Sequence, residues 1–537
     1  MSAPMPPSNT LRLWPAYLIL AAAVGALVWI WAPADSPGSM SQSTLTLIAA
    51  SLATVLLLLW WLLLSRARWL VRVGVLVAVA ALGGAAARFL EIRGVSGDLV
   101  PRLAWRGESA PALPAVSRTT LDAPPPELAG ATEPTPAVEP TARPVPAARD
   151  FPQFLGPDRD ATLSGVHLAR GWERHAPVAV WRRPIGAGWS GFAVAGGLAV
   201  TQEQGHDNER VVAYDLASGE VRWSHRGGPG YRSGMTGDGP RATPTIDGGR
   251  VFAFGVDGTL RSLDLETGRL LFERDVLAEN AGRAPDHGVA SSPLAVDGLV
   301  IVLAGGPNGR SLVAYDTRTG EKRWAGGDDG AAYSSPLVAT LGGVRQIVVF
   351  NLHHLTGHDP RTGEVLWQDD RWPDRPEKVS QPVILDDDRV FVSMGYGVGG
   401  RLVQVTRRSD GGLSAQVKWE TRRLKAKFTQ VVPHEGFLYG LDEGVLVCLD
   451  PADGERRWKQ GRYGHGQILL VDDLLLVQAE DGEVILIDPN PERLVELARF
   501  QAVDGRTWAT PALAGDLLII RSDLEAACYR LPTEPGA

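Results

Sequence analysis

Cysteine is nearly absent. Cys448 and Cys528 are the only two in 537 residues. They form no CxxC, no CxxCH and no adjacent pair, which excludes a cysteine zinc cluster and c-type haem attachment. Lysine and arginine form no long run, and the formal net charge is −8, so the electrostatic signature of nucleic-acid binding is missing. There is no nucleophile elbow and no Walker loop. Helix-favouring stretches are scarce after residue 90. What is abundant instead is glycine, 61 residues, and tryptophan, 17 residues, the composition of a β-rich, turn-rich chain.

The first ninety residues are of another kind. Segments 13–32 and 45–64 are uncharged and long enough to cross a bilayer. A third apolar segment, 70–90, carries Arg72 and Arg88 near its ends, where both can snorkel. Residues 1–92 are therefore expected to be a membrane anchor of about three helices, with Trp14, Trp31, Trp60 and Trp61 at interfacial depths. The first segment lacks a small-residue cleavage site, which predicts a retained anchor. Arg66, Arg68 and Arg72 follow the second segment, whereas 33–44 has no Lys or Arg. The positive-inside rule puts the arginine-bearing connection in the cytoplasm. Three spans then carry the remainder to the other side; if 70–90 does not span, the remainder stays cytoplasmic. Residues 93–149 are expected to be a juxtamembrane segment and then a Pro/Ala-rich linker, because 107–149 has no apolar period.

From residue 150 to 537 one pattern recurs. "LVAYDTRTGEKRW" (312–324) returns as "VVAYDLASGEVRW" (211–223), "LTGHDPRTGEVLW" (355–367) and "LVCLDPADGERRW" (446–458). A Trp or Phe ends a strand at 181, 223, 272, 324, 367, 419, 458 and 500, at spacings of 39 to 52 residues. A period of this length with four strands per unit predicts an all-β propeller of eight blades. The Asp316 side chain is expected to cap the turn as an Asx motif, and Gly320 to supply the positive φ. The residue two before the Asp is small (Ala213, Ser262, Ala314, Gly357, Cys448), and the corresponding residue of the last blade is Cys528. A slot of that size predicts that a neighbouring blade's Trp docks beside it, so both cysteines read as small buried hydrophobes. The first Trp strand, 178–185, has no blade before it, and the last blade, 507–531, has no Trp strand after it. They should pair and close the ring. Segments 407–419 and 488–500 replace the motif in blades five and seven.

The Ala-x-Asp-x-x-Thr-Gly-x-x-x-Trp pattern resembles the tryptophan-docking repeat of pyrroloquinoline-quinone (PQQ) dehydrogenase-like propellers. "FPQFLGPDRD" (151–160) resembles the family's opening segment, with Leu155 where Arg is usual. "GVSGDLVPRLAWR" (94–106) resembles a membrane-anchored bacterial subgroup of PQQ-binding-like propellers. The resemblance implies either of two functions. One is a scaffold, as in the propeller lipoprotein of the outer-membrane barrel-assembly complex. The other is a quinoprotein dehydrogenase oxidising alcohols or sugars with PQQ and Ca²⁺. The second would need clustered Glu, Asn and Asp oxygens for the cation and a carboxylate base. No clear set of these stands in the innermost strands.

Those innermost strands supply the candidate site. Aligned Ser/Thr-Pro positions give a polar ring of Ser190, Thr243, Ser292, Ser335, Gln381, Gln430, Gln467 and Thr510. Beside it, Arg241, Tyr333, Lys378, Lys427, His465 and Trp508 are the candidate lining of a central funnel. The cations among them could receive an anion, either a carboxylate-bearing cofactor or a peptide; the other reading is a narrow channel filled by these side chains and water. Gln202, Glu203 and Gln204 are expected in a solvated loop. His353 on one strand face and His354 with His358 on the other make poor metal geometry. The expectation is a membrane-tethered binding module on the periplasmic side of a bacterial inner membrane, with a protein or envelope partner and no nucleic acid. The alternative is the dehydrogenase.

Overall fold

The computed structural model describes residues 12–31, 39–106 and 150–534, apart from Arg174, His206 and Gly234. The linker expected at 107–149 lies outside them. The chain divides into two compact units, residues 1–112 and 113–537.

The first unit holds three helices, α1 (Trp14–Ile30), α2 (Ser39–Leu63) and α3 (Trp69–Phe89), and an antiparallel ribbon of Leu90–Val95 with Pro101–Trp105. The 21 residues of α3 and the stretch Gln42–Leu63 of α2 are long and apolar enough to cross a membrane. At 1.5 Å per residue, α3 measures about 31 Å, matching a hydrocarbon core of about 30 Å. The short helix is α1, with 17 residues. The third segment, whose crossing the sequence left conditional, therefore has spanning length, and the first is the one that falls short.

The second unit is an eight-bladed propeller; six blades are four-stranded antiparallel meanders, the seventh gains a fifth, parallel strand, and the eighth takes its outer strand from the start of the domain. Blade 3 is representative: Leu294–Val296, Leu299–Gly306, Arg310–Asp316 and Lys322–Gly326. The inner strands meet through two-residue hairpins with two consecutive positive φ values, as at Asp297 (51°) and Gly298 (77°). This primed turn matches the twist of the strands it joins. Successive blades pack face to face through apolar seams. Val300, Val302, Val313 and Tyr315 of blade 3 lie on Phe252, Phe254 and Leu260 of blade 2. Ile301, Leu303, Leu312 and Trp324 lie on Ile347 and Val349 of blade 4. Middle strands are therefore buried on both faces, and Leu474–Gln478 is buried throughout.

The Asx turn forms as expected. Asp316 Oδ1 accepts the N–H of Arg318 (2.9 Å) and Thr319 (3.0 Å), and Oδ2 accepts from the Arg323 guanidinium (2.8 Å). These contacts, the Arg323 bond foremost, hold the Asp316 carboxyl at about 2. Docking takes a different form from the one the small residues suggested. Ala314 faces Trp324 across its own sheet, and Cys448 faces Trp458 and Cys528 faces Trp181 in the same way. The small residue makes room for the indole of its own blade. The neighbouring blade contributes its Asx turn instead. Trp181, Trp223, Trp324, Trp419 and Trp458 donate their indole N–H to Leu216, Leu265, Pro360, Pro451 and Asn490 of the next blade, at 2.8–3.1 Å. The ring covers the turn glycine: a Cβ on Gly219 would sit 2.6 Å from Trp181, and one on Gly320 would sit 2.7 Å from Phe272. Gly is required twice there, for its φ of 71° at Gly320 and for the ring above it. Trp367 is the exception. Blade 5 lacks the motif, and the Trp367 indole bonds Gln346 Oε1 of its own sheet.

Closure follows the count made from the sequence. Val178–Pro184 pairs antiparallel with Glu525–Arg530, with Trp181 opposite Cys528. Arg182 of the first strand grips Glu525 of the last with both ends of its guanidinium, at 2.6 and 2.5 Å. A strap, Phe151–Leu163, crosses one end of the ring. It pairs Phe151 with Val194 in blade 1, sends the Arg159 guanidinium to the Ser292 and Pro293 carbonyls of blade 3, and lays Thr162–Leu163 parallel to Gln467–Val471 of blade 7.

Trp324→Ala should destabilise the propeller by about 3–5 kcal/mol, as large core truncations do. A melt equal to wild type would contradict the docking assignment. Deleting residues 150–186 removes both strap and closing strand, and the product should expose a sheet edge and aggregate. A soluble 187–537 fragment with one cooperative melt would show that the ring closes by other means.

Candidate functional site: the propeller axis

The polar ring is a belt between blades. The Thr243 N–H donates to Ser292 Oγ (2.9 Å), Ser292 N–H to Ser335 Oγ (2.8 Å), Ser335 N–H to Gln381 Oε1 (2.7 Å) and Gln381 N–H to Gln430 Oε1 (2.9 Å). Gln467 bridges the Phe428 and Trp508 carbonyls at 2.9 and 3.0 Å. Each side chain satisfies a backbone group of a neighbouring blade that the sheets leave over. Their polar atoms tie blades together.

At one end of the belt the candidate residues form two groups. Lys427, His465 and Trp508 gather around Phe428. Its ring lies 5.1 Å from His465 and 5.1 Å from Trp508, with the Lys427 ammonium 5.6 Å from its centre. Trp189 of blade 1 packs on Trp508 at 4.8 Å, and the Arg506 guanidinium stacks on both indoles at 5.2 and 4.6 Å. Glu480 supports this group from below, accepting the Trp508 indole N–H (3.0 Å) and the His465 backbone N–H (3.1 Å). Across the ring, Tyr333 stacks on His287 (5.9 Å, 17° between planes) and Arg241 stacks on Tyr231 (4.6 Å). Arg241 donates to the carbonyls of Gly237 and Gly239.

Lys378 joins neither group. It is buried, and its ammonium is held by the carbonyls of Pro373 and Arg375. Burial brings its pKa down to about 8. Trp189, Arg506 and Glu480 were not legible from the aligned positions, because each stands out of step with them in the chain. The other end of the belt is crossed by the strap. A cavity of about 200 Å³ remains there, walled by Leu155, Leu337, Val383 and Val431.

Two further expectations change. Gln202, Glu203 and Gln204 lie in the strand Leu198–Gln204 and are buried, not solvated. Gln202 donates to the Ala242 and Phe254 carbonyls of blade 2, and Glu203 accepts the Tyr214 hydroxyl at 2.8 Å. A run of polar residues reads as a loop, yet in a blade both strand faces are covered. His353 and His354 precede the strand Leu355–His358 rather than lying on it. His353 pairs with Asp329 at 2.6 Å.

Buried ring, docked turns and blade-to-blade belt define a PQQ-like propeller. The model of one family, described as outer membrane protein assembly factor BamB, matches residues 169–287, 207–460 and 399–531, and the chain belongs to that family. Among solved structures, the chain is similar to quinohemoprotein alcohol dehydrogenase from Comamonas testosteroni at 12% identity, covering 72% of this chain and 82% of that one with a TM-score of 0.51. It is also similar to BamB from Moraxella catarrhalis at 15% identity, covering 67% and 100% with a TM-score of 0.49. A comparison with curated proteins finds no match. At these identities the structural likeness shows the fold alone.

The side chains at the axis do not fit a quinone beside a calcium ion. Trp189, Trp508, Phe428 and His465 already pack ring on ring, so a planar cofactor would have to displace one of them to stack there. Among the described residues no three His, Cys, Asp or Glu side chains are grouped to hold a metal ion. The carboxylate beneath the aromatic group, Glu480, is bonded to the side chain and backbone that form it.

One titrating group sits behind Arg241. Glu209 is buried between blades 1 and 2, accepts the Val256 N–H at 3.1 Å, and burial raises its pKa from 4.5 to about 7. A raised acid favours the protonated fold, so propeller stability should fall as pH rises from about 4.5 to 7. Glu209→Gln removes this titration. It should be more stable than wild type at pH 8, by on the order of 3 kcal/mol, and equal or weaker at pH 4. Melts of both proteins with the same offset at the two pH values would contradict the assignment.

Proposed function

We propose that the protein is a membrane-tethered binding or scaffold module, displayed on the periplasmic side of a bacterial inner membrane and presenting its propeller to protein or envelope partners. The supporting observation is the closed axis. One end is filled by Trp189, Trp508, Phe428 and His465, and the other is crossed by Phe151–Leu163. A ring packed in this way leaves about 200 Å³ at the strap end, below the roughly 300–1,000 Å³ of an ordinary cofactor pocket, and this supports a role for its rims and faces. In this reading residues 1–92 anchor, 93–149 space the propeller from the bilayer, and 150–537 bind. The arginines between α2 and α3 support a cytoplasmic connection by the positive-inside rule, and a spanning α3 then leads to the other side.

Affinity purification of the full chain after cross-linking in intact cells tests the binding role. A partner retained by wild type, and lost when the half-buried Tyr231 and His287 are replaced by alanine, is expected; retention of the chain alone would count against it. Orientation is tested separately. An alkaline phosphatase fused after residue 534 should be active, and one fused at Arg68 inactive. An inactive C-terminal fusion would place the propeller in the cytoplasm.

A further inference from the structure

The helical unit carries positive charge with almost nothing to balance it. Between Arg12 and Leu90 the sequence holds five arginines, Arg12, Arg66, Arg68, Arg72 and Arg88, no lysine, and one acid, Asp35. The fold brings four of the five arginines to one end. Arg12 leads into α1, Ser65-Arg66-Ala67-Arg68 joins α2 to α3, and Arg72 lies in the first turn of α3. Hydrogen bonds fix this end. The Arg12 N–H donates to the Ser65 carbonyl at 3.3 Å, and the Trp60 indole donates to the Arg12 carbonyl at 3.0 Å. The Trp61 indole donates to the Arg72 carbonyl at 3.2 Å.

The four arginines have different tasks. Arg72 turns back on the connection, donating to the carbonyls of Ala67 (3.0 Å) and Leu62 (2.5 Å), and so caps the end of α2. Arg12, Arg66 and Arg68 are exposed, and the described residues of this unit up to Leu90 contain no carboxylate. The surface beside them is apolar: Leu63 is 72% exposed, Trp69 70% and Leu70 70%. A soluble anion would meet the guanidiniums and leave that surface in water. A phospholipid meets both, with its phosphate on the guanidiniums and its acyl chains along Leu63 and Leu70. Arginine suits the first contact because its planar donor fork matches a phosphate, and the neighbouring indoles suit headgroup depth.

We infer that the α2–α3 turn, with Arg12 beside it, is a docking site for the headgroup of an anionic phospholipid. The inference rests on the membrane reading above. Arg66 and Arg68 form its centre, Arg12 its flank, and Arg72 positions the turn without contacting the lipid.

The test uses the full chain in a neutral detergent, titrated with phosphatidylglycerol or phosphatidylcholine, with bound lipids counted by native mass spectrometry. A basic residue near an anionic surface is worth about fivefold in binding, so two should favour phosphatidylglycerol by about 25-fold. Arg66→Gln with Arg68→Gln should remove the share of these two and leave at most the about fivefold due to Arg12, whereas Arg66→Lys with Arg68→Lys should keep most of the preference. Arg88→Gln, at the other end of α3, should leave it unchanged. Equal retention of both lipids by wild type, or an undiminished preference in the double Gln variant, would overturn the site. Displacement of phosphatidylglycerol by equimolar glycerol phosphate would also overturn it, as a site for free phosphate. A chain that stays in buffer and never enters micelles or liposomes would remove the membrane reading itself, an outcome distinct from inserted protein without lipid preference.

Discussion

The propeller depends on one contact: an indole of one blade laid on the Asx turn of the next. The turn supplies three things at once. Its aspartate fixes the loop, its glycine leaves a flat bed, and a carbonyl behind the aspartate accepts the indole N–H. Trp324 over Gly363 and bonded to Pro360 shows all three. Because donor and acceptor lie in different blades, each of the five seams fastened in this way aligns the next sheet. The belt of serines, threonines and glutamines repeats the same logic at the axis, with one blade's N–H on the next blade's side chain. Outer and inner fastenings together set the angle between blades, and eight such angles close the circle only if the first strand of the domain becomes the last strand of the ring.

That closure places unusual weight on a few residues. Arg182 and Glu525 are 343 positions apart in the chain and form a two-pronged ion pair in one sheet. Arg521 extends the joint, its guanidinium reaching the carbonyls of Gly186, Ser190 and Gln202 in blade 1. Burial lowers the pKa of Arg521 and of Arg159 alike. Both donate mainly to backbone carbonyls, with Glu203 and Asp523 near Arg521, which suits a fastening that must reach several loops at once.

Much of the fold was legible because repetition turns a weak local pattern into a strong one. Five copies of the Asp-x-x-x-Gly turn placed the third and fourth strands of their blades, and a strand left over at one end with a blade short of one at the other gave the closure. The docking partner was not legible. Both Ala314 and Gly320 are small, and spacing alone does not say which of them lies under a blade's own ring and which under a neighbour's. Gln202 to Gln204 misled for a related reason: a strand covered on both faces shows no alternation, and polar side chains that bond across a seam look like those that meet water. At the axis, Lys427, His465 and Trp508 could be found by aligning the repeats. Trp189 and Arg506 could not, because they reach the same place from positions that the alignment does not pair.

The functional account turns on whether the axis is closed. Trp189 and His465 are buried and Phe428 and Trp508 half-buried where they pack on one another, and displacing them would forfeit those contacts. The direct measurement is a titration of the full chain with PQQ in excess Ca²⁺, followed by thermal unfolding and by reduction of a redox dye with alcohols and sugars. The account predicts an unchanged melting temperature and no dye reduction at any PQQ concentration. A saturable rise in melting temperature, with substrate-dependent dye reduction, would contradict it and show that the aromatic mouth opens to a cofactor.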